Sequence, residues 1–213
     1  QAALEVCEGV LTYAARISAY ALDMSRREQD PQRKAELEAI ARVNARVPAH
    51  PPQNFHEALQ AIWTIQSLFL MEENQCSTSL GRLDQYVYPC CAADIAAGTL
   101  SEEQAFELMG CFIIKCSEMI WYTPASTATY FAGYMPFINM CVGGVKREGG
   151  DGTNALTYLI MDAVEKVKMY QPSLACRIHN QSPQPYIEKI LDVIKAGAGM
   201  PATPRRRTGA AGR

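Results

Sequence analysis

The chain has 213 residues, with 20 basic against 22 acidic side chains, 48% apolar residues and a sequence pI near 6.0. A mean hydropathy of -0.11 with 20% charged residues excludes a disordered tail and a nucleic-acid arm. The apolar runs, such as residues 68–71 and 112–114, are far too short to cross a bilayer.

That length suits one domain or a piece of a larger one. Residues 1–6 lack the basic-then-apolar grammar of a signal peptide, and Gln1 stands where an initiating Met would be. A cytoplasmic setting, and a start cut from something longer, are the expectations.

The first half predicts helices. Residues 2–28 place Leu4, Cys7, Leu11, Ala14, Ala15, Ile17 and Leu22 near a 3.6-residue period. Asp30 before Pro31 is a cap followed by a first-turn proline, so a second helix starts there. It should turn Leu37, Ile40 and Val43 inward, with Glu38 and Arg42 pairing outside. The prolines of residues 47–52 stop it. Asn54 caps a third helix, with Glu57 in the reciprocal position. Its stripe of Phe55, Ala58, Leu59, Ile62, Trp63, Gln66, Phe69 and Leu70 predicts deep burial.

Further along, Ser101 and Gln104 form a capping box that opens a helix to about residue 120. Thr153 or Asn154 opens another through Tyr170, with Leu156, Leu159, Ile160, Ala163, Val164 and Val167 inward. Ser182 and Pro183 start the last helix, and Gly197 ends it in the left-handed position. Two apolar runs bounded by Pro or Gly, residues 137–145 and 173–180, read as buried strands. Strand, helix, strand and helix in succession predict an α/β unit with a parallel sheet or barrel.

Residues 203–213 carry four arginines, two glycines and no large apolar group. A basic tail can bind phosphate or lipid headgroups. No basic, aromatic-interleaved surface extends it, so a truncation or frameshift scar is preferred. The eight cysteines form no Cys-x-x-Cys pair, and only three histidines could complete a metal site. No metal site is expected, and the thiols read as reduced.

Common catalytic motifs are missing: no P-loop, GxGxxG, HExxH or GxSxG. Glu72 and Glu73 are adjacent on a helix and so do not face one another. His179 ends a predicted strand beside Ile178 and near Arg177, where function can lie, but a structural histidine is the plainer reading. His50 and His56 flank a proline turn without a recognisable partner.

Two segments are unusual. Gly81-Arg-Leu-Asp-Gln-Tyr-Val-Tyr-Pro89 packs charge, amide and aromatics together, and an Arg82–Asp84 interaction buried among tyrosines would need full pairing. Fixing of a helix junction is favoured over catalysis. Tyr130-Phe-Ala-Gly-Tyr-Met-Pro-Phe-Ile-Asn139 holds four aromatics, interrupted by Gly133 and Pro136. It is either core filling around a turn or an aromatic box of the kind that holds a quaternary ammonium.

These segments resemble the glycyl radical enzymes. Val47-Pro-Ala-x-Pro-Pro52, the Gly81–Pro89 stretch and Asn139-x-x-x-Gly143-Gly144 look like family landmarks in order. The stretches 130–145 and 170–180 are most similar to the choline trimethylamine-lyase branch. The resemblance implies a fragment of a ten-stranded α/β barrel surrounded by helices, with residues 1–202 a partial pyruvate-formate-lyase-like domain and 203–213 outside it. It implies a glycyl radical in the complete protein, installed by a radical SAM activating enzyme, which generates a thiyl that attacks choline to release trimethylamine and acetaldehyde. Phe131 and Phe137 match pocket aromatics around the trimethylammonium group, and Tyr134 joins them as substrate-binding. Arg82, Asp84, Gln85, Asn139, Gly143 and Gly144 match the family's structural motif. A homodimer, a cytoplasmic location or enclosure in a bacterial microcompartment, and no nucleic-acid or membrane partner are also implied.

The Gly-Cys-x-Glu and Arg-Val-x-Gly-Tyr loops that carry the radical residues are not in the chain. The fragment therefore holds no catalytic residue of its own and is expected to be inactive alone. A glycerol or diol dehydratase, a formate acetyltransferase and a non-enzymatic helical scaffold are the alternatives.

Overall fold

The computed structural model describes residues 1–73, 78–119, 124–131, 137–197 and 200–203, without the side chains of Glu73 and Phe131. It divides into two compact units, Gln1–Glu73 and Asn74–Arg213.

The first unit is three helices, α1 (Ala2–Arg27), α2 (Pro31–Arg46) and α3 (Phe55–Glu73). Asp30 caps α2 by accepting from Gln32 N–H. The helices are as expected, but the seam of α1 is not. Ala14, Ala21 and Ser25 are its buried residues, whereas Leu4 and Leu11 are exposed. Small side chains let α1 and α2 approach closely, and Ser18 Oγ reaches Ala41 O at 2.7 Å. The expected Glu38–Arg42 pair does not form. Arg33 and Glu36 pair instead, at 2.8 Å. At the entry of α3, Asn54 accepts from Glu57 N–H, while Glu57 Oε2 takes Gln53 N–H and lies 3.2 Å from Arg46 Nε. Phe55, Ala58, Leu59 and Gln66 are buried, but Ile62, Trp63 and Leu70 are half-buried and Phe69 is exposed, so the deep burial expected of the stripe holds only in part.

The second unit carries a three-stranded parallel sheet in the order β1 (Gly81–Arg82), β2 (Asn139–Gly143) and β3 (Ser173–Arg177). Five helices belong to its chain order: α4 (Leu83–Tyr86), α5 (Tyr88–Ala96), α6 (Glu102–Ser117), α7 (Ala125–Phe131) and α8 (Ala155–Val167). A further helix, α9 (Gln184–Lys195), follows β3. Strands β2 and β3 are the two apolar runs; β1 is too short to leave a period in the sequence. The predicted capping box of Ser101 with Gln104 forms, and of the two expected openers of α8 it is Asn154 that caps it, in a box with Thr157 that the sequence reading did not name. Helix α8 stops at Val167, three residues before the expected end, because Lys168 takes a left-handed φ of 53°.

Alternation sorts the sheet into two faces. Met140, Val142, Leu174 and Cys176 are fully buried on one, while Asn139, Cys141, Ser173, Ala175 and Arg177 are half-buried or exposed on the other. Beyond β3, Ala202 N–H donates to Leu174 O at 2.9 Å and Ala202 O accepts from Cys176 N–H at 2.8 Å. The sheet is thus opening a fourth parallel position, as an α/β fragment of a barrel does.

Candidate functional site

The densest polar cluster lies where β2 ends. Gly143 has φ +68, and a Cβ there would stand 2.4 Å from the Tyr186 hydroxyl, so only glycine fits. Its N–H donates to Asp84 Oδ2 at 2.7 Å and its carbonyl accepts from Arg82 Nη2 at 2.8 Å. Arg82 Nη1 reaches Val145 O at 2.8 Å, and Gln85 Nε2 reaches Gly152 O at 2.7 Å. Asn154, the cap of α8, donates to Asp84 O at 2.8 Å, and the Thr157 hydroxyl donates to Asp84 Oδ2 at 2.6 Å. Arg82 and Asp84 therefore grip opposite sides of one glycine instead of pairing with each other.

Asp84 is fully buried, and burial pushes its carboxyl above the usual carboxylate range against the pull of Gly143 N–H, the Thr157 hydroxyl, Gln85 and the Arg82 charge. Gly144 follows with φ +86 and accepts from Gly152 N–H at 2.7 Å. The cluster thus unites Arg82, Asp84, Gln85, Gly143 and Gly144. Sequence reading missed Asn154 and Thr157 as their partners; Asn154 was visible as one of two possible helix starts, but neither Thr157 nor the group that the cap holds was.

Next to this cluster, Asp151 Oδ1 lies 3.1 Å from His179 Nε2. Gln181 N–H donates to Nδ1 at 3.3 Å, so the proton of the neutral ring is on Nε2 and points to Asp151. The other Asp151 oxygen takes the Thr153 N–H and hydroxyl. Both ring nitrogens are occupied, which is the structural role.

At the other end of β2 stands Phe137, half-buried, with a left-handed φ of 59°. That is an outlier for a bulky residue. Asn139, exposed and two residues on, donates to Phe137 O at 3.4 Å. Phe131 ends α7, and its side chain and all of Tyr134 lie outside the described residues, as do residues 204–213. Tyr130 is 87% exposed.

Burial pushes Cys91 up to about 11 and Cys116 and Cys176 up to about 12, keeping them neutral in packed positions. Cys141, on the open face, lies between Met140 and Val142, outside any Gly-Cys-x-Glu context. Among the described residues no group of three or more His, Cys, Asp or Glu could hold a metal, and no helix is long and apolar enough to cross a membrane.

Comparison with known proteins shows the family and the fold. The pyruvate formate lyase-like family model matches residues 1–208. Isethionate sulfite-lyase of Oleidesulfovibrio alaskensis is 37% identical over 204 residues, covering 94% of this chain and 24% of the relative. A structure describing 1,2-propanediol dehydration in Roseburia inulinivorans superposes with a TM-score of 0.90 at 36% identity, over 93% of this chain and 25% of that one. The B12-independent glycerol dehydratase from Clostridium butyricum gives 0.88 at 32% identity, over 93% and 25%. The chain spans about a quarter of the length of the relatives it matches. It belongs to the pyruvate formate lyase-like family of glycyl radical enzymes.

Proposed function

We propose that the complete polypeptide is a cytoplasmic glycyl radical lyase that cleaves the C–N bond of choline to trimethylamine and acetaldehyde. Members of the family generally carry a glycyl radical installed by a radical SAM activating enzyme, and that group supplies the hydrogen-atom abstraction. The residues of this chain would bind and orient. Choline's charge is spread over methyl groups with no N–H to donate, so it needs ring faces and weak C–H contacts. The aromatic segment with Phe131, Tyr134 and Phe137 offers them.

The single observation that carries the reading is Phe137. Backbone strain persists where surrounding structure over-determines it, and such outliers cluster at ligand clamps. A homodimer and enclosure in a bacterial microcompartment belong to the same proposal.

A second reading has a specific observation behind it. The relatives include an isethionate sulfite-lyase at 37% identity and dehydratases of propanediol and glycerol. Isethionate and choline are both 2-substituted ethanols, differing in a leaving group of opposite charge. The reaction could be shared while the pocket is not.

Phe137→Leu in the anaerobically activated complete protein tests the choices. Loss of one cation–π contact, about 0.5–2 kcal/mol, should raise the choline KM and lower kcat/KM roughly two- to thirtyfold. Radical content, counted by EPR in the same samples, should not change. Sulfite released from isethionate, or dehydration of a diol, with no trimethylamine from choline would replace the choline reading by the second.

A further inference from the structure

Arg177 ends β3 on the open face of the sheet, in register with Gly143 of β2. Its guanidinium forms no hydrogen bond or ion pair with any described residue. Its placement is nevertheless built. A Cβ added to Gly144 would lie 3.1 Å from Arg177 Cβ, 3.5 Å from Cδ and 3.6 Å from Nε, so the stem of the arginine runs across a bare glycine. That glycine is held by Gly152, and the residue before it by Arg82 and Asp84.

The carboxylates of the adjoining cluster form no ion pair with Arg177. Asp84 Oδ2 takes Gly143 N–H and the Thr157 hydroxyl, and Asp151 takes His179 and Thr153. A cation on a rigid platform at the carboxyl ends of parallel strands, where ligands of α/β sheets bind, lacks only its anion.

We propose that Arg177 is an oxyanion-binding residue, its two-donor fork receiving a carboxylate or sulfonate at the carboxyl edge of the sheet. The source is a carboxylate of the complete polypeptide outside the described residues or a free small oxyanion. The assignment stands on this geometry and not on the choline reading. Phe137 lies beyond the amino end of β2 and Gly143 at its carboxyl end, so the anion of Arg177 is distinct from a small substrate held at Phe137.

Thermal denaturation of the complete protein at constant ionic strength tests this, in chloride, acetate and ethanesulfonate, for wild type, Arg177→Gln and Arg177→Glu. A free oxyanion predicts that acetate or ethanesulfonate raises the wild-type Tm by about 2 °C or more over chloride and leaves Arg177→Gln unmoved. A carboxylate of the polypeptide predicts no response to added anions, a lower Tm for Arg177→Gln, and a further fall of about 2 °C or more for Arg177→Glu, from like-charge repulsion. Absence of any anion response, with Arg177→Gln and Arg177→Glu melting together, overturns the proposal. Should those variants not fold, Arg177→Lys replaces them. The ammonium cannot reproduce the fork, so a lower Tm or a weaker anion response is expected, and curves identical to wild type overturn it. Phe137→Leu kinetics are read separately, so either idea can fail alone.

Discussion

The two ends of β2 are held in opposite ways. At the carboxyl end, Gly143 is gripped through both its N–H and its carbonyl, walled by Tyr186, and tied through Asp84 to the first turn of α8. At the amino end, Phe137 sits in a left-handed conformation that its side chain disfavours, with a 3.4 Å bond from Asn139. One end uses glycine where the backbone demands it and pairs both of that glycine's backbone polar groups. The other places a large ring where glycine would be easier. Rigidity at the first end supplies the frame in which strain at the second can persist, and that is the division expected between scaffold and ligand contact.

The largest effect should come from filling the space beside Gly143. In Gly143→Ala the new Cβ would stand 2.4 Å from the Tyr186 hydroxyl and 2.7 Å from Cζ, in a conformation alanine disfavours. A loss of about 3 kcal/mol or more is expected, read as Tm or as soluble yield. Gly149→Ala is the control: φ is +92, but nothing lies within 4 Å, so about 1 kcal/mol should be lost. Equal losses for the two would mean that the wall around Gly143 contributes nothing.

Asp84 gives the next effect and sharpens the comparison through pH. Asp84→Ala strands Gly143 N–H and the Thr157 hydroxyl, at about 1–3 kcal/mol for each group left buried and unpaired. Asp84→Asn keeps an oxygen for both. Because burial raises the carboxyl in the folded state, folding favours its protonated form. That contribution is fully present below the unfolded value, near 3.8, and is lost as pH rises through the folded value. Wild type should therefore lose stability relative to Asp84→Asn as pH rises above about 4 in urea titrations. A difference independent of pH would show that the carboxyl is ionised as readily in the fold as out of it.

The smallest change in stability, and the sharpest split from function, is expected at Phe137. Phe137→Gly relieves about 1 kcal/mol of backbone strain while removing a half-buried ring, so the Tm should move little. Activity on choline should fall as far as in Phe137→Leu or further. A large loss of stability would make Phe137 a packing residue and return the segment to core filling.

Much of the fold was legible because its signals are local. Asp30 with Pro31, Ser101 with Gln104, and Asn154 before its apolar run are short-range start signals, and each opens a helix in the structure. The strand runs 137–145 and 173–180 became β2 and β3 because bounded apolar runs can be read without knowing their partners. The landmark residues Arg82, Asp84, Gln85, Gly143 and Gly144 were also visible as a set, through resemblance rather than periodicity.

What the sequence determined by itself, then, is the helix starts, the two longer strands, the α/β class and the family. Only the tertiary structure decided which face of α1 is buried, since a seam of Ala14, Ala21 and Ser25 is chosen by how closely α2 can approach and not by hydrophobicity. It alone decided that Arg82 and Asp84 hold Gly143 instead of each other, because that choice depends on a strand 59 residues further along the chain. It alone put Phe137 in a left-handed conformation and left Arg177 across a bare glycine. Short-range hydrogen bonds and periodicity act within a few residues and are written locally, whereas packing clearances and long-range pairing exist only once distant segments meet.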